Sequence, residues 1–393
     1  MVREAIDRPM NFEFASPLRI LFGPGTIRQA GSLARGLGRR ALVVTGRNPA
    51  RAAPLLEMLA AEGVEYGVFP VPGEPTTDMV RLGRGKALAI GADLIVGIGG
   101  GSPLDAAKSI AALVANGGDP LDYMEVVGKG LPLAKPSIPL IAIPTTAGTG
   151  SEATRNAVLA SPEHGVKASM RSLTMIPRIA VVDPELTYGL PPEATASTGL
   201  DALTQLIEPY TCNRANPLVD ALCREGISRV ARSLRKAWAD GHAVAAREDM
   251  SLASLFGGFA LANAGLGVVH GFAGAVGGSF KAPHGAVCAA LLPYAMEMNR
   301  AAMLKREPRN PALGRYDEIA RLLTGRADAV AEDGVEWVRE LTTDLGVPKL
   351  AAHGVARLDI PGVVEKTAVA SGTKANPILL TRRELADILE KAI

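Results

Sequence analysis

The sequence is poor in the residues that define several protein classes. It has three cysteines in 393 residues (Cys212, Cys223 and Cys288), an odd number without metal-type spacing, which excludes a disulfide framework and predicts reduced packing residues. Only 4% of the residues are aromatic, and only five are histidine. The formal charge of +2 and the lack of charge runs predict neither a nucleic-acid partner nor an anionic membrane partner.

Long apolar runs are also missing. No stretch approaches the length that spans a bilayer, and the first residues are too polar for a signal peptide, so the sequence predicts a soluble, cytoplasmic protein. What is abundant is apolar and small: 48% of the residues are hydrophobic and 43 are glycine, a composition that suits helices packed tightly on a sheet. A chain of 393 residues is long enough for two domains.

Hydrophobic periodicity divides the chain into two halves. Short apolar runs at 41–45, 66–69, 94–98, 138–144 and 179–183 alternate with helical patterns, which predicts an α/β domain with a Rossmann-like parallel sheet covered by helices on both faces. Alternating apolar residues between Phe12 and Phe22, on either side of Pro17, predict an edge hairpin. After Pro184 only helical patterns remain. We therefore predict a dinucleotide-binding domain at 1–186 and an all-helical metal and substrate domain at 187–393.

One stretch points to a phosphate site. The buried strand 94–98 runs into Gly99, Gly100 and Gly101, and a helix follows with Ser102 as the expected N-cap and Asp105 completing a variant capping box. A bare turn leading into a helix N-terminus offers free N–H groups to an anion such as a diphosphate. The alternative is an ordinary tight connection between strand and helix.

The helical half carries residues of the types that bind metals. Asp201 and Gln205 are four apart on one helical pattern, whereas His270 and His284 are the two histidines inside otherwise apolar segments. Two histidines and a carboxylate are a plausible set for a divalent cation. The alternative for each histidine alone is a hydrogen-bonded core residue.

Several motifs together resemble a known family. They are residues 99–108 (GGGSPLDAAK), 144–152 (PTTAGTGSE), 199–204 (GLDALT), 283–285 (PHG) and 291–293 (LLP). With them the chain resembles the iron-containing (group III) alcohol dehydrogenases over nearly its whole length, a superfamily that includes maleylacetate reductases and glycerol dehydrogenases. The resemblance implies an active site in the cleft between a dinucleotide-binding domain and a helical metal domain.

The resemblance also implies roles for particular residues. The implied cofactor-binding residues are Gly99, Gly100, Gly101, Ser102, Asp105, Thr145, Thr146, Thr149, Ser151 and, near the ribose, Lys167. The implied ligands of Fe²⁺ or Zn²⁺ are Asp201, Gln205, His270 and His284, with both histidines as catalytic residues. The chain departs from the family where a histidine usually stands at Gln205, and often another at Gly274. An amide oxygen is a weaker ligand than an imidazole, which weakens the predicted metal site.

The residue at the end of the first buried strand bears on cofactor choice. Many relatives have an aspartate where this chain has Gly46, and a carboxylate there binds the ribose hydroxyls and repels a 2′-phosphate. Here Arg47 follows, and a guanidinium binds phosphate well. The sequence therefore predicts NADP(H) as the favoured cofactor, with NAD(H) also possible. The alternative is that Gly46 only makes a turn.

Together these observations predict an oxidoreductase that transfers hydride between a nicotinamide cofactor and a small alcohol, aldehyde or ketone with metal assistance, in a homodimer or larger homo-oligomer. One alternative is a metal-independent, maleylacetate reductase-like enzyme in which a histidine donates to the carbonyl oxygen. Two others are a dehydroquinate synthase-like lyase and a degenerate protein that binds the dinucleotide without turnover.

Overall fold

The first half of the chain folds around a parallel sheet. The computed structural model describes residues 11–280 and 282–393. Its strands are β1 (Arg19–Phe22), β2 (Arg40–Thr45), β3 (Glu65–Pro70), β4 (Leu94–Gly99), β5 (Leu140–Pro144), β6 (Asn156–Ser161), β7 (Val166–Arg171) and β8 (Ile179–Val182). Six of them form one sheet in the order β1-β8-β5-β4-β2-β3, and every pairing in it is parallel. The predicted Rossmann-like sheet is confirmed.

Helices cover both faces of this sheet, as strand alternation requires. They are α1 (Ala30–Arg35), α2 (Ala53–Ala61), α3 (Thr77–Ala89), α4 (Gly101–Asn116) and α5 (Pro120–Tyr123). In β2, Leu42 and Val44 belong to the apolar core under α3 and α4, whereas Ala41 and Val43 belong to the core under α1 and α2. Because successive side chains of a strand point to opposite faces, a fully apolar strand is buried on both sides.

The second half is helical, as predicted. It contains α6 (Pro192–Thr211), α7 (Pro217–Ala239), α8 (Val244–Asn263), α9 (Val268–Ser279), α10 (His284–Arg306), α11 (Ala312–Thr324), α12 (Ala331–Asp344), α13 (Ile360–Val369), α14 (Ser371–Ala375) and α15 (Arg382–Ala392). A capping box begins α15, since the Thr381 hydroxyl accepts from the Glu384 N–H and the Glu384 carboxylate accepts from the Thr381 N–H. The division into separate domains at residue 186 stays a prediction.

Within the described residues, no single helix is both long and apolar enough to cross a membrane. The pair α8 and α9 reaches that length and apolarity only together, and the two helices are bent by 95° at the break between them.

One prediction near the sheet was wrong, and one pair of strands was missed. The expected hairpin at Phe12 to Phe22 is instead one short edge strand, β1, which pairs in parallel with β8. Its alternation reflects one buried face, where Leu21 lies, and one exposed face, where Ile20 lies. The hairpin of β6 and β7 was missed because its strands are rich in alanine and serine and contain no continuous apolar run; its turn contains Gly165 at φ 62°.

Candidate metal centre and dinucleotide cleft

The glycine turn joins β4 directly to α4. Gly99 has φ 149°, a conformation that side chains disfavour, and a Cβ there would lie 2.7 Å from Pro103 Cγ. A Cβ on Gly101 would lie 2.8 Å from Thr149 Cγ2. The turn is therefore packed so closely that glycine is required at both positions, and the first N–H groups of α4 lie next to it.

The predicted cap of α4 is wrong. The helix begins at Gly101 with Gly100 as its N-cap, so Ser102 lies inside the first turn. Asp105 does not reach back to that cap because its carboxylate accepts from Ser151 Oγ at 2.6 Å and from Val158 N at 2.9 Å. Asp105 and Ser151 thus join α4 to the neighbouring loop. Their direct contact with a cofactor stays a prediction.

The threonine-rich loop after β5 lies beside the glycine turn. The Thr145 N–H donates to the Gly99 carbonyl at 2.9 Å, and a Cβ on Gly100 would lie 3.2 Å from Thr146 Oγ1. Since β4 and β5 are parallel neighbours, their carboxyl ends meet at one edge of the sheet, which is where dinucleotides bind in such folds. The structure therefore brings the predicted residues Thr145, Thr146 and Thr149 to the predicted phosphate turn.

Gly46 and Arg47 lie at the same edge of the sheet, directly after β2. A Cβ on Gly46 would meet only Pro103 Cγ, at 3.8 Å, so the position has room for a side chain. Arg47 Nε donates to the Pro72 carbonyl at 2.9 Å. Pro103 belongs to the first turn of α4, so Gly46 adjoins the glycine turn.

A cavity of about 630 Å³ separates the glycine turn from the helical half. Its lining includes Ser102 on one side and Pro283 on the other, and Lys167 contributes an ammonium 3.3 Å from Glu74 Oε2. A larger cavity, of about 780 Å³, lies elsewhere against Arg155, and its lining contains none of the candidate ligands. We take the smaller cavity as the cleft because it adjoins the predicted site residues.

Three of the four predicted metal ligands converge beside this cleft. Asp201 Oδ1 on α6 lies 3.6 Å from His270 Nε2 on α9 and 3.6 Å from His284 Nε2 on α10. The side chains of Asp201 and His270 are buried, whereas that of His284 is 40% exposed. The unexpected fourth member is Cys288 on α10, and the ligand atoms of these four residues all lie within 4.8 Å of one another.

Unpaired polar atoms at this place indicate that the residues fit a cation. Asp201 Oδ1, Gln205 Oε1 and His270 Nε2 are buried and have no hydrogen-bond partner within the part of the chain that the structure describes. Leaving such atoms unpaired is costly, and all three can act as electron-pair donors. A divalent cation coordinated by Asp201 Oδ1 and His270 Nε2 would remove that cost for these two atoms.

Glu208 is a functional residue that the sequence analysis missed. Its Oε2 lies 2.6 Å from His270 Nδ1, and its Oε1 accepts from the Val269 N–H at 2.7 Å. A carboxylate on Nδ1 holds the proton there and leaves Nε2 free as a ligand, the usual arrangement behind a metal-binding histidine. Glu208 lies seven residues after Asp201 on α6, a spacing that places both on one helix face.

Burial and neighbouring charges shift the pKa values of the four cluster residues. Burial opposes protonation of His270, but the Glu208 and Asp201 carboxylates outweigh it and raise the pKa of His270 to about 9. The protein packed around His284 lowers its pKa. Burial also opposes ionisation of Asp201, yet the two histidines lower its pKa, whereas burial raises the pKa of the Cys288 thiol well above its ordinary value. Metal ligands bind deprotonated, so a cation would displace these protons.

Gly274 lies one helical turn after His270 on α9. It is exposed, and a Cβ built on it would meet no atom of the described residues within 4 Å. The place where relatives often have a second histidine is thus open to water in this chain.

The fold and the site together define a class. A parallel sheet whose phosphate-binding turn shares a cleft with a buried carboxylate and histidine cluster is the architecture of a metal-assisted, nicotinamide-dependent dehydrogenase. Residues 17–184 match the model of the family described as iron-containing alcohol dehydrogenase, and residues 195–393 match that of the Fe-containing alcohol dehydrogenase family, C-terminal. The chain belongs to the iron-containing alcohol dehydrogenase family.

Individual relatives agree with this assignment. A probable alcohol dehydrogenase, EutG, of Salmonella typhimurium is 36% identical over 96% of this chain and 94% of its own. The crystal structure of a 1,3-propanediol oxidoreductase has a TM-score of 0.90 and 34% identity, covering 98% of this chain and all of the other. The crystal structure of sulfoacetaldehyde reductase from Bifidobacterium kashiwanohense in complex with NAD⁺ has a TM-score of 0.84 and 27% identity, and the match covers 98% of this chain and 99% of the other.

The protein is therefore an oxidoreductase, an alcohol dehydrogenase of the iron-containing family. The relatives do not favour a metal-independent maleylacetate reductase or a dehydroquinate synthase-like lyase.

Proposed function

We propose that this protein interconverts small uncharged alcohols and their aldehydes, using a divalent cation and NADP(H) at least as well as NAD(H). The proposal depends above all on one observation: among the described residues, Asp201 Oδ1 and His270 Nε2 of the cluster, and Gln205 Oε1 one helical turn from Asp201, are buried without partners. Electron-pair donors of these types are suited to a divalent cation.

The chain's own residues bind the cofactor, orient a metal ligand and leave a path for water. The free N–H groups at the start of α4 bind the pyrophosphate, and the tight packing of Gly101 on Thr149 fixes their direction. Glu208 fixes the His270 ring. The cofactor supplies or accepts the hydride, and a bound divalent cation would polarise the alcohol or carbonyl oxygen. The open space at Gly274 admits water, which can carry the proton to solvent.

Charge in the cleft favours an uncharged substrate. Of the described residues that line the 630 Å³ cavity, Lys167 is the one cation, and Glu74 lies 3.3 Å from its ammonium. A paired lysine provides little net attraction for an acid or phosphate substrate. The same pairing counts against a dehydroquinate synthase-like lyase, which needs several basic residues for its acidic substrate.

Nicotinamide absorbance tests the activity. Protein loaded with Fe²⁺ or with Zn²⁺ is mixed with NADPH or NADH and a panel of short aldehydes, including a hydroxyaldehyde and an acidic one. We expect oxidation of the reduced cofactor with the uncharged aldehydes. Absorbance that stays constant with every aldehyde, cofactor and metal would refute the proposal and favour a protein that binds the dinucleotide without turnover.

Gln205 is proposed as a weak, neutral ligand. Its Nε2 donates to the Gly148 carbonyl at 2.9 Å, which directs the other amide atom, Oε1, away from that loop. Oε1 is one of the three buried atoms without a partner. The amide therefore has one end bound to the protein and one end available to a cation.

The variant Gln205→His is expected to bind Zn²⁺ about tenfold more tightly, since imidazole is the better donor and its second nitrogen can still donate to Gly148. Gln205→Ala is expected to weaken binding. Both affinities are measured by competition with a chelating dye. If alanine leaves the metal affinity unchanged, Gln205 is no ligand.

The cofactor preference is proposed from Gly46 and Arg47. No carboxylate stands at the end of β2 to repel a 2′-phosphate, and Arg47 lies next to the position that adjoins the glycine turn. A guanidinium pairs with a phosphate through strong, charge-assisted hydrogen bonds.

We expect Gly46→Asp to shift the ratio of kcat/KM for NADPH over NADH towards NADH by about tenfold or more, because it introduces a carboxylate near the ribose. The side chain fits, since only Pro103 lies within 4 Å of its Cβ. Gly85→Asp, on the exposed side of α3 with nothing within 4 Å, is the matched control and should leave the ratio unchanged. Strong NADH selectivity of the unmodified enzyme would contradict the proposal.

We also propose an assembly state and a cellular location. Strand β1 forms one edge of the sheet, and Leu18 before it is 77% exposed. Edge strands with exposed apolar residues are commonly covered by another chain, which supports a homodimer or larger homo-oligomer. Cytoplasmic location, like the expectation of neither a nucleic-acid nor a membrane partner, follows from composition alone.

A further inference from the structure

We propose that Cys288 is a ligand of this metal centre. The cation would be held by one carboxylate, two imidazoles and one thiolate, with the Gln205 amide as its weakest contact, and this set would select zinc over iron. The inference rests on the metal site of the proposed function and deepens it. In the sequence alone, Cys288 read as a packing residue.

Helix geometry brings Cys288 to the site. It lies four residues after His284, one turn further along α10, so both side chains project from the same helix face. Its Sγ is 3.8 Å from His284 Nε2 and within 4.8 Å of the ligand atoms of Asp201 and His270. The other two cysteines, Cys212 and Cys223, are buried and are not part of the cluster.

The spacing of the four atoms matches a tetrahedral metal site. With metal–nitrogen and metal–oxygen bonds of about 2.0–2.1 Å and a metal–sulfur bond of about 2.3 Å, tetrahedral ligand atoms lie about 3.3–3.6 Å apart. The pairs given for Asp201 with each histidine are 3.6 Å apart, and Cys288 with His284 is 3.8 Å apart. The remaining pairs lie within 4.8 Å, so side-chain movements would bring all four atoms to these distances.

Charge and ligand softness then decide the metal. A carboxylate and a thiolate together neutralise a divalent cation, whereas the amide of Gln205 adds no charge. Such neutrality favours binding at a buried site, where an unbalanced charge is costly. Thiolate is a soft ligand that favours zinc, whereas a site made only of oxygen and nitrogen donors discriminates less against iron.

The competing account is that Cys288 is a buried thiol that only packs against His284. The distance of 3.8 Å between Sγ and Nε2 is also compatible with a weak S–H hydrogen bond. The two accounts differ in whether sulfur is bonded to the metal, so a spectroscopic measurement separates them without any assay of activity.

The experiment is X-ray absorption at the zinc K-edge. The full-length protein is stripped of metal with a chelator and reconstituted with one equivalent of Zn²⁺. We expect one sulfur at about 2.3 Å in addition to nitrogen and oxygen at about 2.0–2.1 Å. The sulfur should vanish in Cys288→Ser and persist in Cys223→Ser, the matched control in α7. With Zn²⁺ and Fe²⁺ offered together under anaerobic conditions, the zinc-to-iron ratio bound should fall about tenfold in Cys288→Ser.

Each outcome supports or overturns the role of Cys288 as a metal ligand. Bound zinc with only nitrogen and oxygen neighbours, or a sulfur that persists in Cys288→Ser, overturns the role of Cys288 and leaves the proposed function intact. Protein that binds neither Zn²⁺ nor Fe²⁺ overturns both the inference and the metal-assisted function, whereas protein that binds only Fe²⁺ overturns the inference alone. If Cys288→Ser fails to fold, as judged by circular dichroism, the spectrum of the unmodified protein decides alone, since it either contains a sulfur at bonding distance or does not.

Discussion

Asp201→Asn is expected to lower kcat/KM about a thousandfold, which corresponds to about 4 kcal/mol of lost transition-state stabilisation. Asp201 Oδ1 lies 3.6 Å from His270 Nε2 and 3.6 Å from His284 Nε2, so Asp201 is the carboxylate that both histidines share. Its side chain is only 3% exposed, and water therefore cannot replace it as a ligand without rearrangement. Asparagine keeps the size of the side chain but removes the charge that holds a divalent cation in a buried site.

The measurement pairs steady-state kinetics with the metal content of the purified variant. We expect activity and bound metal to fall together, and excess Zn²⁺ or Fe²⁺ to restore only part of the activity. Asp249→Asn is the matched control: this largely buried carboxylate pairs with Arg229 and Arg232 in the helical half and is not part of the metal cluster, so its loss should lower stability and leave kcat/KM within about threefold. Full activity of Asp201→Asn without metal would favour the metal-independent mechanism.

The parallel sheet was predictable because its strands are buried on both faces. Such strands read as continuous apolar runs, and β2, β4, β5 and β8 all have this signature. The hairpin of β6 and β7 lacks it, since its strands alternate small residues with exposed ones such as Val158. The edge strand β1 was predicted as part of a hairpin because alternation shows that one face of a strand is buried but does not show which strand is its partner.

The metal centre was predictable only in part. Asp201 and Gln205 share a helix face, so their proximity follows from local geometry. His270 and His284 meet them only because α9 and α10 fold back on α6, with His270 and His284 ring centroids 5.4 Å apart, and no sequence spacing encodes that. It was the resemblance of motifs to a known family that predicted His270 and His284 as ligands together with Asp201 and Gln205. Glu208 and Cys288 lie at helical spacings from predicted ligands, and a search for such neighbours would have found both.

The second large effect is expected from a side chain placed in the glycine turn before α4. We expect Gly101→Val to raise the dissociation constant for NADPH and for NADH at least about a hundredfold, which corresponds to about 3 kcal/mol. A Cβ at this position would lie 2.8 Å from Thr149 Cγ2 and 3.1 Å from Thr149 Oγ1, so the threonine loop and the start of α4 have to separate. That separation would turn the free N–H groups of α4 away from the pyrophosphate.

Cofactor binding to metal-free protein, followed by nicotinamide fluorescence, separates this effect from catalysis at the metal centre. The matched control is Gly85→Val, because the position lies in α3 with nothing within 4 Å of its Cβ, and cofactor affinity should there be unchanged. Overpacking at Gly101 should also destabilise the fold by about 1–3 kcal/mol, so thermal unfolding is measured to show that the variant remains folded at the assay temperature. A folded Gly101→Val protein that binds NADPH and NADH as tightly as the unmodified protein would show that the cofactor pyrophosphate does not lie on this turn, and the cleft would then have to accommodate the dinucleotide elsewhere.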